Sequence, residues 1–309
     1  MKSIRNPLIL LLTAFIWGIA FVFQTTGGNA TGPFTFACVR SVIAAIALLP
    51  AIKLLDCAGL THNRPQTRAQ WKTLMKAGLL CGLCLAMTSI CQQLGLYMGT
   101  ATGKAGFLTA CYIILVPVLG IFLKRRCGWN VWLAVLITVF GLYLLCMNGS
   151  ISFQTSDLII LGGALACALH ILVVDHYMYE VDAVRLNLIQ IIVAALITSI
   201  PMFWSDMQHS MVGFQEWLTR MSTWEAWSAL LYAGLFSSAI GYTLQCVGQQ
   251  GVHPTVASLL MSFESVFSVL GGWLILGQHL STRELLGCLL IFVAVIFAQI
   301  PMPTKKGAA

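Results

Sequence analysis

The chain has 309 residues, of which 59% are hydrophobic and only 9% charged, and its mean hydropathy is +0.88. Soluble domains carry about 25% charged residues, so this composition excludes an ordinary soluble domain and indicates a membrane protein. The net charge of +7 does not indicate nucleic acid, because the basic residues are scattered among apolar segments and assemble no basic face.

A span takes about 20 mainly apolar residues, and ten such stretches use almost the whole chain. The first, 7–26, follows MKSIRNP. Its apolar run is of full span length and lacks a small-residue cleavage site, so it reads as a helix and not a signal peptide. It carries Trp17 near its middle, Phe15 and Phe21 beside it, and Gln24. The second, 33–53, carries Arg40, roughly 10 Å in from Pro33 at helical rise. There it could attract an anionic group, pair with a carboxylate, or snorkel outward. The third, 73–96, carries Gln93 and two small-residue pairs, Gly78–Gly82 and Gly95–Gly99, expected to let helices approach closely. CGLC at 81–84 has redox spacing but no thioredoxin-like βαβ setting, so all eleven cysteines read as small packing residues.

The fourth span, 103–123, has Lys104 at its start, as an interfacial anchor or a site residue, and Phe107 and Tyr112 further in. TGKAG (102–106) echoes a phosphate loop but lacks the first glycine and the Ser/Thr after lysine. The fifth, 129–147, carries no charge. The sixth, 157–176, carries His170 and ends on Asp175 and His176. At about 100° per residue the two histidines point about 120° apart, which rejects a metal pair. His170 is left as a proton carrier or a packed residue. The seventh, 184–203, carries Gln190. Trp204, Trp217, Trp224 and Trp227 flank the next connection like an interfacial belt.

The eighth span, 225–247, carries Gln245. With Gln24, Gln93 and Gln190 it makes four neutral hydrogen-bonding groups on four helices, able to line a polar cavity or to bond across helix contacts. The ninth, 254–276, is the most informative. SFESVFSV (262–269) sets Glu264 in an otherwise uncharged run from Val252 to Gln278. Counting from Pro254 it lies roughly 15 Å deep, about the midplane of a ~30 Å hydrocarbon core. Burial disfavours an ionised carboxylate, and intramembrane carboxylates mark pathways and proton relays; the alternative is a protonated carboxyl bonded between helices for packing. The tenth span, 285–302, completes the set.

Lys and Arg in the loops set orientation. With a cytoplasmic N-terminus, thirteen of the 17 lie inside, Lys104, Arg220 and Arg283 lie outside, and Arg40 sits within a span. Both termini are therefore expected in the cytoplasm. The sequons NAT (29–31) and NGS (148–150) then fall outside in short loops. Ten spans divide into halves of five, 1–150 and 151–309, and an odd number per half turns the second half upside down. Weak internal echoes agree. VRSVIAAIALLP (39–50) resembles IQIIVAALITSIP (189–201), and CQQLGLYMG aligns with LQCVGQQG on Gly95 and Gly248, which sets Gln92 against Gln245. The expected architecture is an all-α integral membrane protein, ten transmembrane helices in two inverted five-helix repeats, as in many secondary transporters.

TAFIWGIAFVFQ (13–24), TGKAGFLTACYIILVPVLGIFLKRR (102–126), DHYMYEVDAVRLNLIQ (175–190) and TVASLLMSFESVFSVLGGWLILGQHLSTRELLGCLL (255–290) resemble the drug/metabolite transporter superfamily, in its EamA-type branch. The resemblance covers nearly the full chain. It implies two inverted five-helix halves around a central cavity, movement of small metabolites, often outward, and no enzymatic chemistry. Many relatives have proline after the ninth-helix glutamate, where this chain has Ser265, which predicts a straighter ninth helix. Many also have glutamate where this chain has Gln278.

The expectation is a secondary transporter, an exporter of small amphipathic or amino-acid-like metabolites across the cytoplasmic membrane, proton-coupled through Glu264. Trp17, Tyr112, Arg40, Gln24, Gln93, Gln190, Gln245, His170 and Lys104 are the further substrate-binding or coupling candidates. An importer or salvage carrier on the same fold is the alternative. A membrane-embedded enzyme or lipid-handling protein needs a nucleophile, base and orienter, or a metal set, which the sequence does not assemble. No metal, cofactor or ATP-binding element is expected. The partners are the solute, protons and membrane lipid, without nucleic acid, and the oligomeric state is left open.

Overall fold

The computed structural model describes residues 4–59, 61–100, 102–124, 127–147, 154–276 and 281–299, and every element of regular structure among them is helical. Lys2, Arg125, Arg126, Gln278, Lys305 and Lys306, the NGS sequon at 148–150 and the expected boundary between residues 150 and 151 lie outside the described residues. In chain order the helices are α1 (Arg5–Thr31), α2 (Pro33–Cys57), α3 (Arg68–Tyr97), α4 (Thr102–Ala110), α5 (Tyr112–Phe122), α6 (Trp129–Cys146), α7 (Thr155–Tyr177) and α8 (Ala183–Pro201). A π-turn, Met202–Asp206, extends α8. After it come α9 (Met211–Met221), α10 (Trp224–Leu231), a π-helical stretch (Tyr232–Gly241), α11 (Tyr242–Gly248), α12 (Pro254–Met261), α13 (Phe263–Leu276) and α14 (Thr282–Gln299).

Joined end to end, these helices make rods on which the ten expected spans fall; α9 lies between two of them. Among the described residues seven helices are long and apolar enough to cross a membrane, and Arg5–Phe21 and Pro254–Leu270 are shorter apolar helices. The chain is a multi-pass membrane protein.

Local chemistry starts the helices. At α3, Thr67 Oγ1 accepts from Gln70 N at 3.2 Å while Gln70 Oε1 accepts from Thr67 N at 3.0 Å, a reciprocal capping box. Asp182 caps α8 by accepting from Arg185 N at 2.8 Å, and Ser210 and Thr223 cap α9 and α10 in the same way. The whole connection between α1 and α2 is Gly32, at φ 100°, followed by Pro33. A positive φ costs glycine little, and proline is preset for the first helical position, so the chain reverses over one residue.

Three rods are irregular in their interiors. Between α4 and α5 the backbone tightens at Cys111, whose N–H donates to Leu108 O at 3.2 Å and whose carbonyl accepts from Ile114 N at 3.0 Å. Between α12 and α13 it tightens at Ser262. There the Ser258 and Ser262 hydroxyls donate to Thr255 O (2.8 Å) and Leu259 O (2.7 Å), competing with the helix's own amides. The ninth span is thus interrupted at Ser262, three residues before Ser265, without a proline. The third irregularity is the π-helical stretch Tyr232–Gly241.

Rods meet on small residues. A Cβ on Gly287 of α14 would lie 2.6 Å from Gly141 O of α6, and Gly78 and Gly82 of α3 lie against Ile189 and Val193 of α8. Such contacts supply close van der Waals packing where lipid removes the hydrophobic drive between helices. Gly99 departs from its expected packing role. Nothing lies within 4 Å of its Cβ position and its φ is 97°, so it turns the chain after α3.

Polar side chains gather at the two ends of the bundle. At one, Arg185 donates to Asp56 Oδ2 at 2.5 Å, with Arg64 3.7 Å from the same oxygen. At the other, Asp206 Oδ2 accepts from Thr35 N at 2.6 Å and Thr35 Oγ1 at 2.8 Å. Both clasps tie the α2 rod to the α8 rod.

Candidate functional site

Between these ends a small, partly open cavity enters the bundle. Helical spacing builds its wall. From α1 come Trp17, Phe21 and Gln24; from α3 Leu85, Thr88, Ser89 and Gln92; from α7 Cys167, His170 and Ile171. Residues three, four and seven apart share one helix face. Arg40 enters from α2. Thr109 and Tyr112 flank the interruption at Cys111, and Met261 and Glu264 flank the one at Ser262. Ser237, Tyr242 and Gln245 complete the wall. Ser237 and Tyr242 are five residues apart, the spacing that π winding brings to one face.

Arg40 and Glu264 are 5% and 6% exposed, and neither has an ion-pair partner among the described residues. Arg40 Nη2 donates to Ser89 Oγ at 2.9 Å, and its guanidinium carbon lies 5.8 Å from the centre of the Phe36 ring. The Tyr112 hydroxyl lies close enough to Glu264 to interact with it, yet among the described residues it is short of hydrogen-bond geometry with any partner; Gln245 Oε1 is likewise unmet there. An unmet buried polar group costs about 1–3 kcal/mol, so these are groups that a solute can satisfy.

Behind the wall runs a buried polar chain. His170 Nε2 is 2.9 Å from Gln190 Oε1, and Gln190 Nε2 donates to Asn187 Oδ1 at 2.9 Å. That amide orientation makes His170 Nε2 the donor. Asn187 Nδ2 in turn donates to Ala239 O at 2.9 Å. Trp17 Nε1 donates to Ser237 O at 3.1 Å. Tyr242 packs against both rings, its centroid 5.0 Å from Trp17 and 5.9 Å from His170. Gly241 makes room for this group, since a Cβ there would lie 2.5 Å from Trp17 Nε1.

The sequence matches the EamA-like transporter family over residues 6–147 and 154–299. The chain belongs to that family. It is similar to an uncharacterized transporter of Archaeoglobus fulgidus, 27% identical over 97% of this chain and 87% of that one. It is also similar to the uncharacterized transporter YwfM of Bacillus subtilis, 23% identical over 100% and 98%. A solved crystal structure superposes with a TM-score of 0.75 over 96% of this chain and 97% of that one; at 15% identity it shows the fold alone. This EamA-family protein is a membrane transporter and not an enzyme.

Seven of the residues singled out in the transporter's sequence stand on the cavity wall: Trp17, Gln24, Arg40, Tyr112, His170, Gln245 and Glu264. Gln93 stands behind it, donating to Gln24 Oε1 at 3.3 Å, and Gln190 stands behind His170. Lys104 lies elsewhere, 2.5 Å from Asp157, whose carboxylate also accepts from Gln154 N and Thr100 Oγ1. Phe21 reaches the cavity, whereas Phe15, 44% exposed, packs on Phe267, and Phe107 packs on Tyr143. Sequence reasoning missed Ser89, Gln92, Tyr242 and Asn187. The i, i+3, i+4, i+7 run from Leu85 to Gln92 carried a signal for the first two.

Proposed function

We propose that the protein is a secondary transporter that exports small zwitterionic, amino-acid-like metabolites across the cytoplasmic membrane, with Glu264 exchanging a proton against the solute's ammonium group. One observation carries this reading: a guanidinium and a carboxyl share one buried wall without pairing with each other. Arg40 offers a planar fork of donors to a carboxylate, and Glu264 offers its oxygens to an ammonium. Trp17 and Tyr242 add aromatic area, and Tyr112 and Gln245 add unmet polar groups. Apolar walls with a few placed polar groups are the usual make-up of a small-molecule site.

One carboxyl cannot hold a proton and an ammonium at the same time. Loading one releases the other, which links solute movement to a proton gradient without ATP. A dry site disfavours the charged carboxylate and a hydrated one tolerates it, so opening and closing the cavity drives the exchange.

The halves 1–150 and 151–309 act as inverted repeats in this reading. Its support is that Asp56 and Asp206, 150 positions apart, each clasp the α2 rod to the α8 rod, at opposite ends. The excess of Lys and Arg at that end supports a cytoplasmic Asp56 end and cytoplasmic termini.

A thermal-stability panel on purified protein tests the solute class. Each L-amino acid is compared with its N-acetyl and its carboxamide derivative. A ligand at 100 times its Kd stabilises by about 2.7 kcal/mol, and only the zwitterion is expected to do so. Equal stabilisation by either derivative sinks the assignment.

A further inference from the structure

Asn187 sits on α8, wholly buried and off the cavity wall. Its carboxamide nevertheless grips the π-helical stretch of the neighbouring rod. Nδ2 lies 2.9 Å from Ala239 O, 3.2 Å from Ser238 O and 2.9 Å from Thr243 Oγ1, and Thr243 Oγ1 donates to Ala239 O at 2.7 Å. On the other flank, Ser237 O accepts the indole N–H of Trp17 at 3.1 Å. Three consecutive carbonyls, 237 to 239, thus take side-chain donors from α1 and α8.

Winding with i→i+5 bonds is rare and concentrates at functional sites. It also takes carbonyls away from their α-helical amides, and a buried carbonyl has to find another donor. In an α-helix Ser237 O would receive the amide of Gly241, and the indole N–H of Trp17 would have to share that acceptor. Residues beyond the stretch, Tyr242 among them, would turn by about one helical position, 100°.

We propose that Asn187 is a positioning residue: it holds Tyr232–Gly241 in the π form and so places Trp17 and Tyr242 on the cavity wall. The functional meaning of that placement rests on the cavity being the solute site. Asn187 acts on Trp17 through the π stretch.

The test uses the full chain labelled with 5-fluorotryptophan in lipid nanodiscs. In its 19F spectrum, the Trp17 line is the one absent from Trp17→Phe. Asn187→Leu keeps the branched, four-heavy-atom shape of the side chain and removes the clasp. Gln190→Met removes the bonds to His170 and to Asn187 Oδ1 and leaves the three Nδ2 contacts of the clasp in place. The Trp17 line is expected to move by more than its width in Asn187→Leu and to stay in Gln190→Met, while the lines of the other tryptophans hold. An unmoved Trp17 line in folded Asn187→Leu overturns the proposal, and so does equal movement in Gln190→Met. If Asn187→Leu fails to fold, Thr243→Val removes the hydroxyl shared by Asn187 and Ala239 O and has to move the same line; a still line there also overturns it. No solute enters these measurements, so their outcome is separate from that of the zwitterion panel.

Discussion

The Tyr112 hydroxyl lies beside the Glu264 carboxyl, and each residue stands ten positions beyond the first residue of its rod, Thr102 and Pro254. Each also follows an interruption, at Cys111 in one rod and at Ser262 in the other. An interrupted helix has fewer backbone bonds to break when it bends, so the proposed proton-exchanging group sits where its rod yields most easily.

Replacing that group by an isostere separates coupling from packing. Glu264→Gln keeps shape and hydrogen bonding but cannot titrate. In vesicles with an imposed pH gradient it is expected to fold, to lose gradient-driven accumulation and to show no pH dependence of exchange. Normal pH-dependent flux through this variant ends the coupling idea. Tyr112→Phe should keep the pH dependence, with affinity lowered by about tenfold, the loss of one hydrogen bond to a charged group.

Arg40 has a different signature. Loss of charge-assisted hydrogen bonds to a carboxylate costs about 1.5–3 kcal/mol, so Arg40→Gln is expected to weaken the stabilising amino acid by roughly 10- to 100-fold. The ligand-free melting temperature should not fall, because the guanidinium is buried with no ion pair among the described residues. A lower ligand-free melting temperature with unchanged ligand response would make Arg40 structural.

Trp17→Ala removes aromatic wall and the bond to Ser237 O together, and should weaken aromatic solutes more than small aliphatic ones in the stability panel. Equal affinities in wild type and variant, accompanied by a lower melting temperature, would return Trp17 to packing.

The clasps predict a ranking of stabilities. Asp206→Ala strands the buried Thr35 N–H and hydroxyl and should cost about 1–3 kcal/mol. Arg64, 57% exposed and 3.7 Å from Asp56, makes a surface pair worth about 0–1 kcal/mol, so Arg64→Ala should melt almost as the wild type does. The reverse order would remove the clasp from the account.

Orientation is read by impermeant thiol labelling of intact cells, with peptide mapping to separate introduced from native cysteines. Cysteines at Asn29 and His209 should react, and one at Asn63 should stay protected. Labelling at Asn63 would invert the assignment.

The spans and the outlying charges were legible in the sequence because a lone Arg40 or Glu264 stands out against an apolar run. Short polar side chains do not. Ser89 and Asn187 look like ordinary membrane-helix residues until their partners are known, and those partners lie on other helices. Tyr242 was hidden for a second reason: π winding puts it in phase with Ser237, a register that 3.6-residue periodicity does not anticipate. Lys104 was left open between an anchor and a site residue, because Asp157, at the very edge of an expected span, gave no sign that it would face it.

The two aspartate clasps have a mechanical consequence. Asp56 holds the α8 rod at one end of the bundle and Asp206 holds the α2 rod at the other. Such a pair behaves as a beam pinned at both supports. Separating the two rods requires unfastening one pin, while the helices on the far side of the cavity carry no such constraint from these residues. In the proposed transport cycle the α2–α8 pair would be the fulcrum about which access switches, and unfastening either pin alone should bias the protein toward one face.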